Sequence, residues 1–259
     1  MKELIIVKVG TTTLTDETGR LDEASFMNIA NALKEEKERG ADTMLISSAA
    51  ITAGAAELGI DRRQYADDPD SLSALAASGQ IPLMNRWSRY LEPCHVSQHL
   101  ITPYELHTAE GDAYITKLMA AFRLGLLPVA NENDAVADDE IKFGDNDRLM
   151  ALIAVGLAKK AVWDTIKPVI LTDVDGLYTA EPSDPQAELI RTVTDINDVA
   201  QFAVETDTVH NSGGMRTKLI AARMLLEEGV GMRLGYGRAE DPIGRLLHGA
   251  AGTYFMPAA

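Results

Sequence analysis

The sequence predicts an α/β protein in which a mostly parallel β-sheet is covered on both faces by helices. Three observations carry this expectation. Short apolar runs rich in Val and Ile alternate with longer stretches whose apolar residues recur at helical spacing. At 259 residues with 46% hydrophobic content, the chain is long and apolar enough to bury a large core. Polar clusters follow directly after the apolar runs, and ligands of parallel sheets gather at the carboxyl ends of strands.

In chain order, LIIVKV at 4–9 is the first strand, ending at Gly10 before the polar TTTLTDETG. Phe26, Ile29, Ala30 and Leu33 predict a helix from Asp22 to Arg39, with Gly40 as its stop. DTMLIS at 42–47 is the next strand, followed by a helical stretch punctuated by Gly54 and Gly59 and a polar loop at 61–71. A long helix over about 72–91 leads to the strand HVSQHLI, and a helix over 111–124 precedes the strand at 126–131. The helix at 146–159 leads to PVILTD at 168–173, and the helix at 214–228 leads to VGMRLGYG at 230–237. Between them, 172–190 is a turn-rich loop shaped by Asp175-Gly176, Pro182 and Pro185. Neither a fixed-period repeat nor a low-complexity tract is present, which argues against a solenoid.

Charge and motifs exclude several classes. With 24 Lys and Arg against 39 Asp and Glu, the net charge of −15 disfavours nucleic acid and anionic membrane surfaces as partners. No apolar run approaches the ~20 residues a membrane helix needs, and MKELIIVKVG lacks the features of a signal peptide. The single cysteine, Cys94, allows no internal disulfide, so the expectation is a soluble, cytoplasmic protein. Neither GxxxxGK[ST] nor GxGxxG occurs. Cys94, His95 and His99 invite a zinc site, but in a strand the two histidines share a face that Cys94 does not, so no metal site is expected.

Four polar clusters remain: GTTTLT, SSAA, NEND and TDVDGLYT, each after a predicted strand, which implies one shared site. Lys8, two residues before Gly10, is either a lysine snorkelling at a strand end or a point charge beside a backbone anion nest. In NSGGMRTK at 211–218, Gly213 and Gly214 allow close backbone approach, while a helix start and Lys218 offer positive potential to a phosphate. The segment NENDAVADDEIKFGDNDRL at 131–149 holds seven acidic residues, so it is either spread in water or facing something positive.

Taken together, VKVGTTTLT, SSAAITAG, ASGQ, PVANENDAVADDEIKFGDND, ILTDVDGLYTAEPSDPQAELI, NSGGMRTK and GRAEDPIGRLLHGAAGTYF resemble the amino-acid kinase family, and within it the glutamate 5-kinase branch. The resemblance implies a single domain over 1–259, a three-layer α/β/α sandwich with an open, mainly parallel sheet. Its amino-terminal lobe, to about residue 160, would hold glutamate, and its carboxyl-terminal lobe, from about 161, would hold ATP with Mg2+. Carried over position by position, Lys8 and Lys218 would flank the transferring phosphoryl group with Asp147 orienting them. Ser48, Asp134 and Asn146 would grip L-glutamate. Gly10, Thr172 and Asp173, with Ser212, Gly213, Gly214, Met215, Arg216, Thr217 and Lys218, would line the nucleotide. Asp138, Asp139 and Glu140 read as a solvated loop near the cleft.

The resemblance further implies a homodimer or homotetramer, proline as a feedback inhibitor, and a downstream glutamyl-phosphate reductase that consumes a labile product. The RNA-binding-like (PUA) domain that follows in many such kinases is expected to be absent. Two departures bear on the acceptor: Ala49 stands where glycine is usual, and Pro103 where arginine is usual. They leave open a kinase for another small amino-acid or phosphate acceptor, and beside it a non-catalytic nucleotide or amino-acid sensor.

Overall fold

Residues 1–136, 146–202, 214–249 and 251–257 are described by the structure, a computed structural model. Its strands are β1 (Glu3–Val9), β2 (Asp42–Ser47), β3 (Val96–Ile101), β4 (Leu127–Glu132), β5 (Thr165–Thr172), β6 (Leu177–Tyr178), β7 (Leu189–Ile190), β8 (Thr192–Val193), β9 (Met232–Tyr236) and β10 (Thr253–Phe255). Its helices are α1 (Glu23–Glu38), α2 (Ala50–Leu58), α3 (Pro69–Tyr90), α4 (Pro103–Leu106), α5 (Ala109–Arg123), α6 (Asn146–Lys159), α7 (Met215–Glu227) and α8 (Pro242–Leu247).

Eight strands form one sheet in the order β3-β4-β2-β1-β5-β9-β10-β8, parallel throughout except where β10 runs against β9. β6 and β7 pair as a separate antiparallel hairpin. The central strand shows why the chain folds this way. Leu4, Ile5, Ile6, Val7 and Val9 are all fully buried, because β1 has helices on both sides. Leu4 and Ile6 join the cluster made with α5, α6 and α7, while Ile5, Val7 and Val9 join the one made with α1, α2, α3 and α8. Strand alternation then sends Lys8 to the side of Leu4 and Ile6, toward α6 and α7.

Two strands carry an interior proline without losing a ladder bond. Pro168 lies opposite Ile6, but β9 pairs with β5 only from Val169 onward. Pro128 lies opposite Ser97, and β2 pairs with β4 only from Leu45↔Val129. Each proline therefore sits where one flank of its strand has no neighbour.

The mainly parallel sheet with two helical layers is as the sequence predicts, with local differences. α3 begins at Pro69, inside the stretch expected to be loop, because Asp68 accepts the Ser71 N–H at 3.1 Å and Pro69 suits the first helical position. α4 follows Thr102 through a reciprocal capping box with Glu105, and Pro103 takes the first turn, where a missing N–H is no loss. β5 starts at Thr165, ahead of the expected Pro168. The 172–190 loop contains the β6–β7 hairpin, which at two residues per strand is too short to show periodicity. The six-residue α8 was not expected for the same reason.

Gly54 is not a break in α2 but a packing position. A Cβ built on it would lie 2.0 Å from the Leu75 carbonyl oxygen, and one on Gly79 of α3 would lie 1.8 Å from the Ala50 oxygen. The two helices touch backbone to backbone. Gly59, at φ 65°, does end α2.

Neither oxygen nor nitrogen of a helix backbone can move aside locally, so Gly79→Ala is expected to destabilise the fold by at least about 3 kcal/mol. For a domain of this size that is a fall in thermal midpoint of roughly 6–12 °C. Differential scanning calorimetry of the variant checks it; an unchanged midpoint would mean that α2 and α3 are not in this contact.

Candidate active site

The four polar clusters lie at the carboxyl ends of β1, β2, β4 and β5, which are consecutive neighbours in the sheet order β4-β2-β1-β5. Their side chains therefore face one edge of the molecule, with the amino-terminal ends of α2 and α6 among them.

At the centre is Asp147, in the first turn of α6 and 1% exposed. Its Oδ1 lies 2.6 Å from Lys8 Nζ, and its Oδ2 lies 3.3 Å from Lys218 Nζ. The Thr217 hydroxyl is 2.8 Å from the same Oδ2. Both lysines are almost wholly buried, Lys8 at 4% and Lys218 at 5% exposure. Burial opposes ionisation of Asp147, but Lys218 and Lys8 together outweigh it and hold the carboxyl below the ordinary carboxylate range. Burial draws Lys218 below the ordinary lysine value, with Lys8 adding to this and Asp147 opposing it.

Lys218 stands in the first turn of α7, the positive end of the helix macrodipole, where a cation is disfavoured. Asp147 stands in the first turn of α6, where an anion is favoured. Three charges with a net of +1 are thus held out of water, and the surplus suits an anion. Gly10 adds room for one: a Cβ there would come within 3.7 Å of Lys8 Nζ. A Cβ on Gly214, the residue before α7, would meet nothing within 4 Å.

Beside this cluster lies an amide network. Asn146 accepts the Glu132 backbone N–H at 3.0 Å and donates to Ser48 Oγ at 3.0 Å and to Asn131 Oδ1 at 2.9 Å. Both of its N–H donors and one lone pair of its oxygen are engaged within the protein, and one of those bonds orients Ser48. Ser48 is half-buried and also donates its N–H to the Val9 carbonyl at 3.0 Å, tying the end of β2 to β1.

Asp134 is a different kind of carboxylate. It is 6% exposed, its Oδ1 meets no hydrogen-bond donor among the described residues, and burial pushes its pKa up to about 7. Ser73 of α3 donates to its backbone carbonyl at 3.0 Å and so fixes its position. A buried carboxylate with such surroundings suits a cationic ligand group.

Thr172 closes β5, and its hydroxyl donates to Asp173 Oδ1 at 3.0 Å. Asp173 is exposed and acts on Lys218 electrostatically. Met215 packs against the core, Arg216 is exposed, and Thr217 joins Asp147. Ser212 and Gly213 lie outside the described residues, as do Asp138, Asp139 and Glu140.

Several residues of the site were not singled out by sequence reasoning. Asn131 and Glu132 are buried in the last two positions of β4, and only the polar run NEND hints at them. Ser47 is hinted at only by the run SSAA, and Trp87 carried no signal, since a tryptophan on a helix is common. Ala49 does adopt the conformation that glycine favours, at φ 86° and ψ 14°. For a residue with a Cβ this costs about 1–2 kcal/mol.

Residues 3–234 match the amino acid kinase family. The chain belongs to that family. Among relatives in it, a glutamate 5-kinase of Desulfitobacterium hafniense (strain Y51) is 38% identical over 261 residues, covering 98% of this chain and 69% of the relative. A glutamate 5-kinase of Anaeromyxobacter dehalogenans (strain 2CP-C) is 40% identical over 266 residues, covering 98% and 67%. Two solved amino-acid kinase folds resemble the structure. Carbamate kinase from Giardia lamblia bound to AMP-PNP gives a TM-score of 0.63 at 16% identity, covering 99% of both chains. Isopentenyl phosphate kinase gives 0.64 at 18% identity, covering 98% of this chain and 100% of the other. At that identity the likeness shows the fold, and it agrees with the α/β/α layering above.

The raised pKa of Asp134 sets a pH dependence. Between the unfolded value near 3.8 and the folded value of about 7, the native state holds the extra proton, so this residue's destabilising effect grows as pH rises through that window. Asp134→Asn removes it. The ligand-free variant is expected to be more stable than the wild type by a few kcal/mol at pH 8, with the difference shrinking toward pH 4. Urea denaturation at both pH values checks this; an equal difference at the two would show that Asp134 titrates normally.

Proposed function

We infer that the protein transfers the γ-phosphoryl group of ATP to the γ-carboxylate of L-glutamate, giving glutamyl 5-phosphate and ADP, the first step of proline biosynthesis. The observation that carries this is the sorting of buried charge: a net-positive cluster at Lys8, Asp147 and Lys218, and a further buried carboxylate at Asp134 whose Oδ1 meets no hydrogen-bond donor among the described residues. A phosphoryl donor and an acceptor carboxylate both suit the first, and the α-ammonium of an amino acid suits the second. The names of the relatives agree with this reading.

The chemistry needs no general base. A glutamate side chain, with an ordinary pKa of roughly 4.3, is already ionised at neutral pH. One of its γ-carboxylate oxygens attacks the γ-phosphorus in line, and the bond to the β–γ bridging oxygen breaks, leaving with its electron pair on ADP. The obstacle is repulsion between two anions. Lys8 and Lys218 offset it at the transferring group, while Asp147 holds both lysines in place. Ser48, oriented by Asn146, and Asp134 hold the amino acid.

Gly10, Thr172, Asp173 and the segment from Ser212 to Lys218 line the nucleotide in this reading. Mg2+ enters this reading as a passenger of the phosphates, the way it accompanies ATP. When bound it adds charge neutralisation there. No helix among the described residues is long and apolar enough to cross a membrane. The reading also includes one domain with an acceptor lobe to about residue 160 and a nucleotide lobe beyond, and a homodimer or homotetramer in the cytoplasm. Proline inhibition and a reductase that consumes the acyl phosphate complete it.

Incubation with MgATP, L-glutamate and hydroxylamine is expected to yield glutamyl hydroxamate and ADP. Lys218→Ala is expected to lower kcat by about 100-fold or more with the fold retained, as for loss of other transition-state charge contacts. ADP without glutamate-dependent hydroxamate would defeat the assignment of acceptor. Full activity in Lys218→Ala would defeat the role of the buried cluster.

A further inference from the structure

The strand-to-helix turn after β2 is held in its strained form by a residue far from it in sequence. The Trp87 indole N–H of α3 donates to Ser47 Oγ at 2.8 Å, and Ser47 Oγ in turn donates to the Ser48 carbonyl at 2.9 Å. A hydroxyl can accept one bond and donate another, so the relay is satisfied end to end. Trp87 is fully buried, and its ring packs on Phe26 at a centroid distance of 4.6 Å, so the donor has one position.

The peptide unit pinned by this relay is the one joining Ser48 to Ala49. Because a trans peptide is planar, fixing the Ser48 oxygen toward Ser47 turns the Ala49 N–H the opposite way. The same fixed plane leaves Ala49 at φ 86°, a conformation alanine would leave if the oxygen were released. α2 has no side-chain cap, and among the described residues no acceptor meets the Ala49 N–H. Asn146 holds Ser48 Oγ. The Ser48 hydroxyl, its acceptor side taken by Asn146, keeps its proton for a ligand.

We propose that Trp87 is a positioning residue for the acceptor amino acid: through Ser47 it orients the Ser48–Ala49 peptide so that the Ala49 N–H and the Ser48 hydroxyl meet an acceptor carboxylate. The proposal rests on the acceptor site described under Proposed function. Trp87 touches neither substrate nor phosphoryl group. Its effect is preorganisation, which falls on binding of the acceptor and spares the nucleotide.

The test measures KM for glutamate and for ATP, kcat and thermal midpoint in Trp87→Phe, which keeps the ring contact with Phe26 but has no N–H, and in Ser47→Ala, which cuts the relay with little change of volume. Each is combined with Ala49→Gly. Both single variants are expected to raise KM for glutamate about tenfold, equivalent to about 1.4 kcal/mol, with KM for ATP within about twofold of wild type. Ala49→Gly is expected to bring KM for glutamate back to within about threefold in either background, since glycine occupies positive φ without strain. A purely structural tryptophan would lower the thermal midpoint, raise both Michaelis constants and gain nothing from a glycine at 49.

An unchanged KM for glutamate in Ser47→Ala overturns the role, as does an equal rise for ATP or the absence of rescue; Ser47→Ala decides if Trp87→Phe does not fold. Failure of the underlying site is distinct. A wild-type protein that forms no glutamyl hydroxamate overturns the glutamate reading and this role with it, whereas an active wild type with unmoved variants overturns the role alone.

Discussion

The structure depends on bringing one carboxylate and two ammonium groups together out of water. Asp147, Lys8 and Lys218 come from α6, β1 and α7, and none of the three could be buried without the others. Replacing such a group with apolar residues of the same size is often neutral or stabilising, so its presence is poor evidence for a stability device. The surplus positive charge, and the placing of Lys218 at the disfavoured end of a helix, make sense as preparation for an anion. The parity of β1 is then decisive. A shift of one residue would send Lys8 to the face of α1 and α3, away from both of its partners.

Two consecutive residues divide the work of the site. Asn146 turns to β2 and β4, where it joins Ser48, Asn131 and the Glu132 N–H; Asp147 turns to β1 and α7. In the proposed reading, the beginning of α6 couples the place of the acceptor to the place of the phosphoryl donor through a single helical step of backbone. Asp134 stands apart with a carboxylate whose protonation responds to the pH range around 7. Proximity of unlike tasks with separation of unlike charges is what a transfer between two anions requires.

Much of this was legible in the sequence because it follows periodicity and strand ends. The long helices, the parallel strands and the four polar clusters could be placed, and the clusters do meet on neighbouring strands. Lys8 could be flagged because a lysine inside an apolar run is anomalous, yet the residues alone did not decide between a snorkelling side chain and a point charge beside an anion nest. Burial sets aside the snorkelling side chain. The short elements escaped: α8, and the β6–β7 pair within an apparent loop, are held by tertiary contacts rather than by local pattern. The start of α3 was missed by three residues since Asp68 and Pro69 look like turn formers until the cap is seen. Gly54 looked like punctuation because closeness of two backbones has no signature within either helix.

That last contact has a mechanical consequence. With Gly54 and Gly79 letting the backbones of α2 and α3 meet, no side chain separates the two helices at that crossing. The turn that leads into α2 and the Ser73 tie to Asp134 ride on the same stiff pair. The acceptor side is thus built as an anvil. Whatever adjustment is needed to admit two substrates and release two products has to be made by parts of the chain that are not clamped between these helices.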